Sequence, residues 1–205
     1  MQFASKKNRV FLVVVNNMPV VVKIFRSKRS ALKEWQMLYR LKALSLPAPQ
    51  PIMMFKNWIV RQFIDGVSIT ELLEEGNVEW VERLADWLHK FHKFTEMRLV
   101  DLSLENFLFN HGEVYCIDFD DVQKRGTPLA DVGELVANLV RAPVNSIQTR
   151  LFAARKFLKI YSKVSDTPLE KFRNYIRRSV LSKSVGKADK MTTKELESYV
   201  PQILE

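Results

Sequence analysis

Two apolar runs open the chain, residues 9–15 and 20–25, joined through Asn16, Asn17, Met18 and Pro19. β-Branched residues dominate both, which predicts a pair of strands. Over 27–44 the period changes: Ala31, Leu32, Trp35, Leu38, Tyr39 and Leu41 recur at helical spacing. Ser27 or Ser30 would cap that helix, with Glu34 three or four residues on. Pro47, Pro49 and Pro51 end it and lead into extended chain. Residues 58–64 read as a strand, and Asp65-Gly66 as the turn after it. A short helix follows over 68–75, with Ser68 and Glu71 at capping-box spacing. The next helix, 77–94, carries Val81, Leu84, Ala85, Leu88 and His92 on one face, widened by Trp80, Trp87 and Phe91. Residues 107–109 and 114–117 predict a hairpin around Asn110-His111-Gly112. Asp131 reads as the N-cap of a further helix. Two more helices are expected over 146–163 and 168–182, then a polar linker at 183–190. A last short helix opens at Thr192 with Glu195.

A chain of 205 residues, 47% hydrophobic, can bury one sizeable core or two small lobes. Its one cysteine, Cys116, excludes a disulfide framework and fits a reducing compartment. The first residues lack the apolar core of a signal peptide, and runs such as 11–15 are far too short to span a bilayer. The expectation is a cytoplasmic chain. The formal charge is +9, and residues 141–190 alone hold 13 Lys or Arg against 3 Asp or Glu, a balance of +10. That excess points to an anionic partner such as a phosphorylated glycan, a lipid headgroup, an acidic protein or RNA. The plainer reading is a solvated helical surface.

The candidate chemistry lies in residues 99–121. Asp101 and Asn106 stand five apart in a short loop, and Asp118 follows the hairpin. Folding the hairpin brings the loop beside the strand end. Turns are rich in Asp and Asn, so each residue alone reads as turn chemistry. Together they suit phosphoryl transfer: one carboxylate aligns or deprotonates a hydroxyl, while an amide and a second carboxylate hold Mg²⁺ on nucleotide phosphates.

The spacing D-x-x-x-x-N followed by Asp-Phe resembles the catalytic and metal loops of the protein-kinase-like superfamily. The run Asp-Leu-Ser-Leu-Glu-Asn is similar to its small atypical members: aminoglycoside phosphotransferases, lipopolysaccharide-core and Kdo kinases, RIO kinases and the small kinase of the KEOPS complex. The resemblance covers about residues 10–140. It implies an α+β, two-lobed fold, with a reduced β-rich N-lobe over 1–64 and a helical C-lobe over 65–205. It also implies ATP and Mg²⁺ as cofactors. Within it Val-Val-Lys-Ile resembles the lysine strand, so Lys23 would hold the α- and β-phosphates and Glu34 would brace it; an exposed strand position is the alternative for Lys23. Gln62 to Ile64 resemble the hinge that offers backbone groups to adenine. Asp101 would be the catalytic residue, and Asn106 with Asp118 the metal ligands. Gly-Thr-Pro-Leu-Ala-Asp131 resembles a motif whose aspartate anchors the catalytic loop, and His92 would pack beneath that loop without a catalytic part.

The sequence departs from the family at three places. No glycine precedes the first strand, so Ala4-Ser5-Lys6-Lys7 would be either a reduced phosphate loop or a frayed terminus. Leu99-Val100 stands where kinases have His-Arg or His-Gly, which removes a backbone-bracing contact. Asp120 stands where many have glycine. The interval after Asp118 is too short for an activation segment. The favoured acceptor is a hydroxyl on an anionic glycan, a lipid-linked sugar or a small molecule, with membrane contact through the basic C-terminal half; nucleic acid is the less favoured partner. The helix run Ser-Ala-Leu-Lys-Glu-Trp, then Leu-Pro-Ala-Pro-Gln-Pro, is similar to lipopolysaccharide-core kinases. The alternatives are an atypical protein serine kinase or ATPase, and a nucleotide-binding pseudokinase scaffold.

Overall fold

The computed structural model describes residues 2–3, 8–144, 146–182 and 192–205. The expected phosphate loop at 4–7 and the linker at 183–190 lie outside the described residues. Strands β1 (Gln2–Phe3), β2 (Arg9–Val15) and β3 (Met18–Ile24) come first, then helix α1 (Lys28–Ala43), then β4 (Pro51–Phe55) and β5 (Trp58–Gln62). The strands form one antiparallel sheet in the order β1-β2-β3-β5-β4. A two-residue turn joins β2 to β3, with Asn16 at φ +49° and Asn17 at φ +63°. Asparagine tolerates that left-handed backbone, and such a turn matches the twist of the flanking strands. The proline-rich stretch was expected only to be extended, yet Pro51 opens a paired strand, β4. It can do so because it is the first residue of an edge strand, where a missing N–H costs little.

Side chains alternate across the sheet. Register therefore puts Val10, Val21, Lys23, Ile59 and Arg61 on the inner face, which meets α1 through Glu34. Phe11, Val13, Val15, Val22, Val60, Met53 and Phe55 share the outer face.

The rest of the chain is mostly helical. In order it holds β6 (Val67–Ser68), α2 (Ile69–Glu74), α3 (Trp80–Thr95), β7 (Arg98–Leu99), a 3-10 turn (Leu104–Asn106), β8 (Phe107–Asn110), β9 (Glu113–Cys116) and β10 (Val122–Gln123). Then come α4 (Pro128–Val140), α5 (Ile147–Val164), a 3-10 turn (Leu169–Phe172), α6 (Arg173–Leu181) and α7 (Thr193–Leu204). The capping boxes expected at Ser68/Glu71 and Thr192/Glu195 both form. The helix read as one piece over 168–182 instead starts as a 3-10 turn behind Pro168, which seats Phe172 fully in the core. Trp80, Phe91, Phe107, Phe157 and Phe172 are among its largest apolar members. Among the described residues, no helix is long and apolar enough to cross a membrane.

Candidate active site

Lys23 sits mid-strand in β3 and is 1% exposed, so it is not a surface lysine that alternation happened to allow. Its Nζ lies 2.7 Å from Glu34 Oε2, 2.9 Å from Asp118 Oδ1 and 3.2 Å from Asp120 Oδ1. Glu34 plays no part in capping α1. Ser27 caps that helix, accepting the Ser30 N–H at 3.1 Å, and Glu34 is fully buried one turn further on. Its other oxygen, Oε1, lies 3.2 Å from Nη1 of Arg61, and the same nitrogen donates to the Ile117 carbonyl. Arg61 thus ties β5 to α1 and to the strand end that carries Asp118.

The cluster holds two cations and three carboxylates, and its protonation follows from that imbalance. Burial pushes Glu34 up to about 7, against the pull of Lys23 and Arg61 and with a further push from Asp118. Burial alone would lower Lys23, but Glu34, Asp118 and Asp120 outweigh it and hold the ammonium above its usual range. Asp118 is held below the usual carboxylate range: burial raises it, but Lys23 outweighs burial. The group as a whole lacks positive charge.

Glu34 titrates near 7 in the folded chain but near its ordinary 4.5 when unfolded, so the folded state binds its proton more tightly. That contribution is complete below about 4.5 and is lost as pH rises through about 7. In the presence of a chelator, Glu34→Gln is expected to remove this decline from thermal midpoints measured between pH 5 and 8. Parallel curves for the two proteins would contradict it.

Asp101 lies in the loop after β7, exposed, with Oδ1 accepting the Ser103 N–H at 3.2 Å. Asn106 closes the loop: its amide donates to the Asp101 carbonyl at 3.5 Å, and its own carbonyl accepts the Ile117 N–H at 2.9 Å. The predicted hairpin forms from β8 and β9, with His111 at φ +48° and Gly112 at φ +78° in its turn. Below the loop stands Asp131, fully buried. It is not the N-cap of α4, because Thr127 is, and Asp131 lies one turn inside. Its carboxylate accepts the Leu99 N–H at 2.8 Å, Arg98 Nε at 2.6 Å and His92 Nε2 at 3.0 Å. A carboxylate can only accept, so Nε2 carries the His92 proton and Nδ1 faces the Tyr161 hydroxyl at 2.8 Å. The bracing expected to be missing at Leu99-Val100 is therefore supplied through the backbone, since Val100 N–H also donates to the Asp121 carbonyl at 3.0 Å.

One cavity of about 860 Å³ is lined by Lys23, Gln62, Ile64, Asp101, Asn106 and Asp118. Six of the seven predicted site residues face it, and Glu34 stands behind Lys23. At the expected hinge the Gln62 N–H is already taken by the Gln50 carbonyl at 2.9 Å, which leaves Gln62 its backbone carbonyl. Among the described residues, none accepts the Ile64 N–H. Gly66 lets this segment cross the hairpin closely: a Cβ there would sit 3.0 Å from the Phe109 carbonyl oxygen. For a metal, oxygens of Glu34, Asp118 and Asp120 lie within 4.8 Å of one another. The Lys23 ammonium already sits among those three oxygens, so the donors that fit a hard divalent cation are those of the cavity-lining Asp118, Asp120 and Asn106. Asp120 thus joins Asp118 in this cluster, while Asn106 reaches the same cavity from the loop.

Three contributors were missed in the sequence. Arg61 had a signal, a cation inside the apolar run Trp58-Ile59-Val60, of the same kind that singled out Lys23. Asp120 was read only as a replaced glycine. Asn8 carried no signal; its side-chain amide donates to Asp120 from the segment before β2.

Residues 15–132 match a family model described as the RIO domain. No curated protein matches the sequence. Among solved structures, the gentamicin complex of APH(2'')-IIa is similar at 16% identity and a TM-score of 0.64, covering 97% of this chain and 88% of that one. ADP-bound aminoglycoside phosphotransferase APH(2'')-Ib is similar at 16% identity and 0.58, covering 100% and 91%. WaaP in complex with acyl carrier protein is similar at 15% identity and 0.60, covering 87% and 86%.

Proposed function

The chain belongs to the RIO domain family and has the two-lobed α+β fold of the protein-kinase-like superfamily; from that premise we propose that it is an ATP-dependent phosphotransferase. The observation that carries the reading is the convergence of Lys23, Glu34 and Asp118 behind the cavity that Asp101 and Asn106 also line. We place residues 1–64 in the phosphate-anchoring lobe and 65–205 in the lobe bearing the catalytic and metal loops. Lys23 holds the α- and β-phosphates, and Glu34 with Arg61 behind it fixes the ammonium. The Gln62 carbonyl and the Ile64 N–H meet the adenine edge. Asp118, Asn106 and Asp120 would hold Mg²⁺, which neutralises phosphate charge when bound. Asp101 aligns the acceptor hydroxyl and takes its proton. In-line transfer then depends chiefly on positioning and charge.

For the acceptor we favour a non-protein hydroxyl, on a sugar of an anionic glycan or lipid-linked sugar, or on a small molecule. Three features support this. Only nine residues separate Asp118 from Pro128 at the start of α4, too few for an activation segment. The stretch 141–190 is basic. Two of the fold relatives are named as aminoglycoside phosphotransferases or as complexes with gentamicin. The corresponding place in the cell is cytoplasmic, peripheral to a membrane. The second reading, a protein serine kinase or ATPase, is favoured by the RIO-domain match itself. A labelled protein band from labelled ATP, with no labelled glycan, would select it. A pseudokinase scaffold needs none of Lys23, Asp101, Asn106 and Asp118, all of which are present.

Titration calorimetry tests the nucleotide step. Wild type should bind ATP in the presence of Mg²⁺, and Asp118→Ala should weaken that binding by about tenfold or more, the loss of a charged ligand to a metal-bound phosphate. No binding by the wild type would overturn the proposal.

A further inference from the structure

We infer that the outer face of the five-stranded sheet is a docking surface for an anionic lipid bilayer. An antiparallel sheet with one solvated face ordinarily alternates apolar inward and polar outward. Here both sides are apolar. Register places Phe11, Val13, Val15, Met18, Val22, Trp58, Met53 and Phe55 on the side away from the cavity. Met18 is 64% exposed, Phe55 52%, and Val15 and Met53 48% each. Val20 and Val60 lie between them and are buried, yet neither belongs to the main hydrophobic cluster. Their cover comes from the same face. A contiguous apolar field of this kind marks a contact surface.

Charge selects the occupant. Residues 1–64 contain twelve Lys or Arg and a single acid, a balance of +11. The acid is Glu34, buried between Lys23 and Arg61, so this lobe presents no surface carboxylate. The basic excess of this lobe matches the +10 of residues 141–190. Its cations also border the apolar field. Arg9 shares the face with its register partner Ile24, Lys56 holds its ammonium 5.2 Å from the Phe55 ring centroid, and Arg26, Lys28 and Arg29 are exposed just past the end of β3. A second copy of the chain would set like charge against like. An apolar centre that enters the headgroup boundary, with cations at phosphate level around it, is what an anionic bilayer accommodates. The nucleotide cavity is on the opposite face of the sheet, so docking leaves it open.

The test is co-sedimentation of the full chain with phosphatidylcholine vesicles, with and without phosphatidylglycerol. It uses neither nucleotide nor turnover, so its failure is separable from failure of the phosphotransferase reading. Wild type should partition onto the anionic vesicles and be released by salt. The double variant Val15→Asp/Phe55→Asp, at half-exposed positions, should lose about tenfold or more in partitioning with its thermal midpoint preserved. Lys56→Gln should lose roughly fivefold, the contribution of about one cation at the surface. Lys156→Glu/Lys159→Glu, on α5, should leave partitioning unchanged. The inference is overturned if wild type ignores anionic vesicles. It is equally overturned if only the α5 variant loses binding, or if the wild type is a dimer in solution that Val15→Asp/Phe55→Asp makes monomeric.

Discussion

Asp101→Asn is expected to lower the rate of phosphoryl transfer by about 10²–10⁴-fold, the usual contribution of a positioned general base. Nucleotide affinity should change little, because Asp101 stands apart from the ion cluster at Lys23 and makes no contact with it. Its carboxylate is exposed at the cavity mouth, where an acceptor would enter, and among the described residues its one fixed partner is the Ser103 N–H. Asparagine keeps that bond through its carbonyl oxygen but cannot accept a proton from a hydroxyl. Single-turnover measurement with ATP and Mg²⁺, beside calorimetric binding, separates the two quantities. A variant that binds nucleotide normally and transfers at the wild-type rate would remove Asp101 from the chemistry. One that no longer binds nucleotide would mean the loop, and not the proton, had been lost.

Asp131→Ala is expected to destabilise the chain by about 3–5 kcal/mol, the range for breaking a buried charge pair from one side. The carboxylate is fully buried and accepts from three groups on two elements at once: His92 in α3, and Arg98 and the Leu99 N–H in β7. Removing it strands a guanidinium, an imidazole N–H and a backbone donor together. For a chain of this size the thermal midpoint should fall by roughly 10 °C. Asp131→Asn retains an acceptor oxygen but not two, and should fall less. The same substitution releases the loop that carries Asp101, so residual activity should fall in protein that is still folded. Calorimetric unfolding of the three proteins checks the order; equal midpoints would show that the loop is held by other bonds.

The candidate site was legible to unequal degrees. Lys23 stood out because a charge interrupted an apolar strand, and Asp101, Asn106 and Asp118 because their spacing resembled known loops. Glu34 was ambiguous between a cap and an ion pair, since both occur in the first turns of a helix. Arg61 sent the same signal as Lys23 and was passed over, because nothing in a linear reading says which face of a strand looks into a cavity. Gln62 to Ile64 are expected to offer backbone groups to adenine, and only the fold shows that the Gln62 N–H is consumed by Gln50, twelve residues away. Asn8 and Asp120 meet across 112 residues, and no local pattern encodes such a meeting.

By itself the sequence determined what depends on neighbours in the chain. Strand and helix periods, the Ser68 and Thr192 caps, the hairpin turn at Asn110-His111-Gly112 and the spacing of Asp101, Asn106 and Asp118 are all set within a few residues by backbone sterics and short-range hydrogen bonds. Only the tertiary structure decided which charges share a dielectric. Burial brought three carboxylates and two cations into one low-dielectric cluster, raised Glu34 to about 7, and turned Asp131 from a presumed cap into the acceptor that holds the loop. It also decided that the outer face of an apolar sheet is left to solvent, because a strand of valines reads the same whether one side is covered or both.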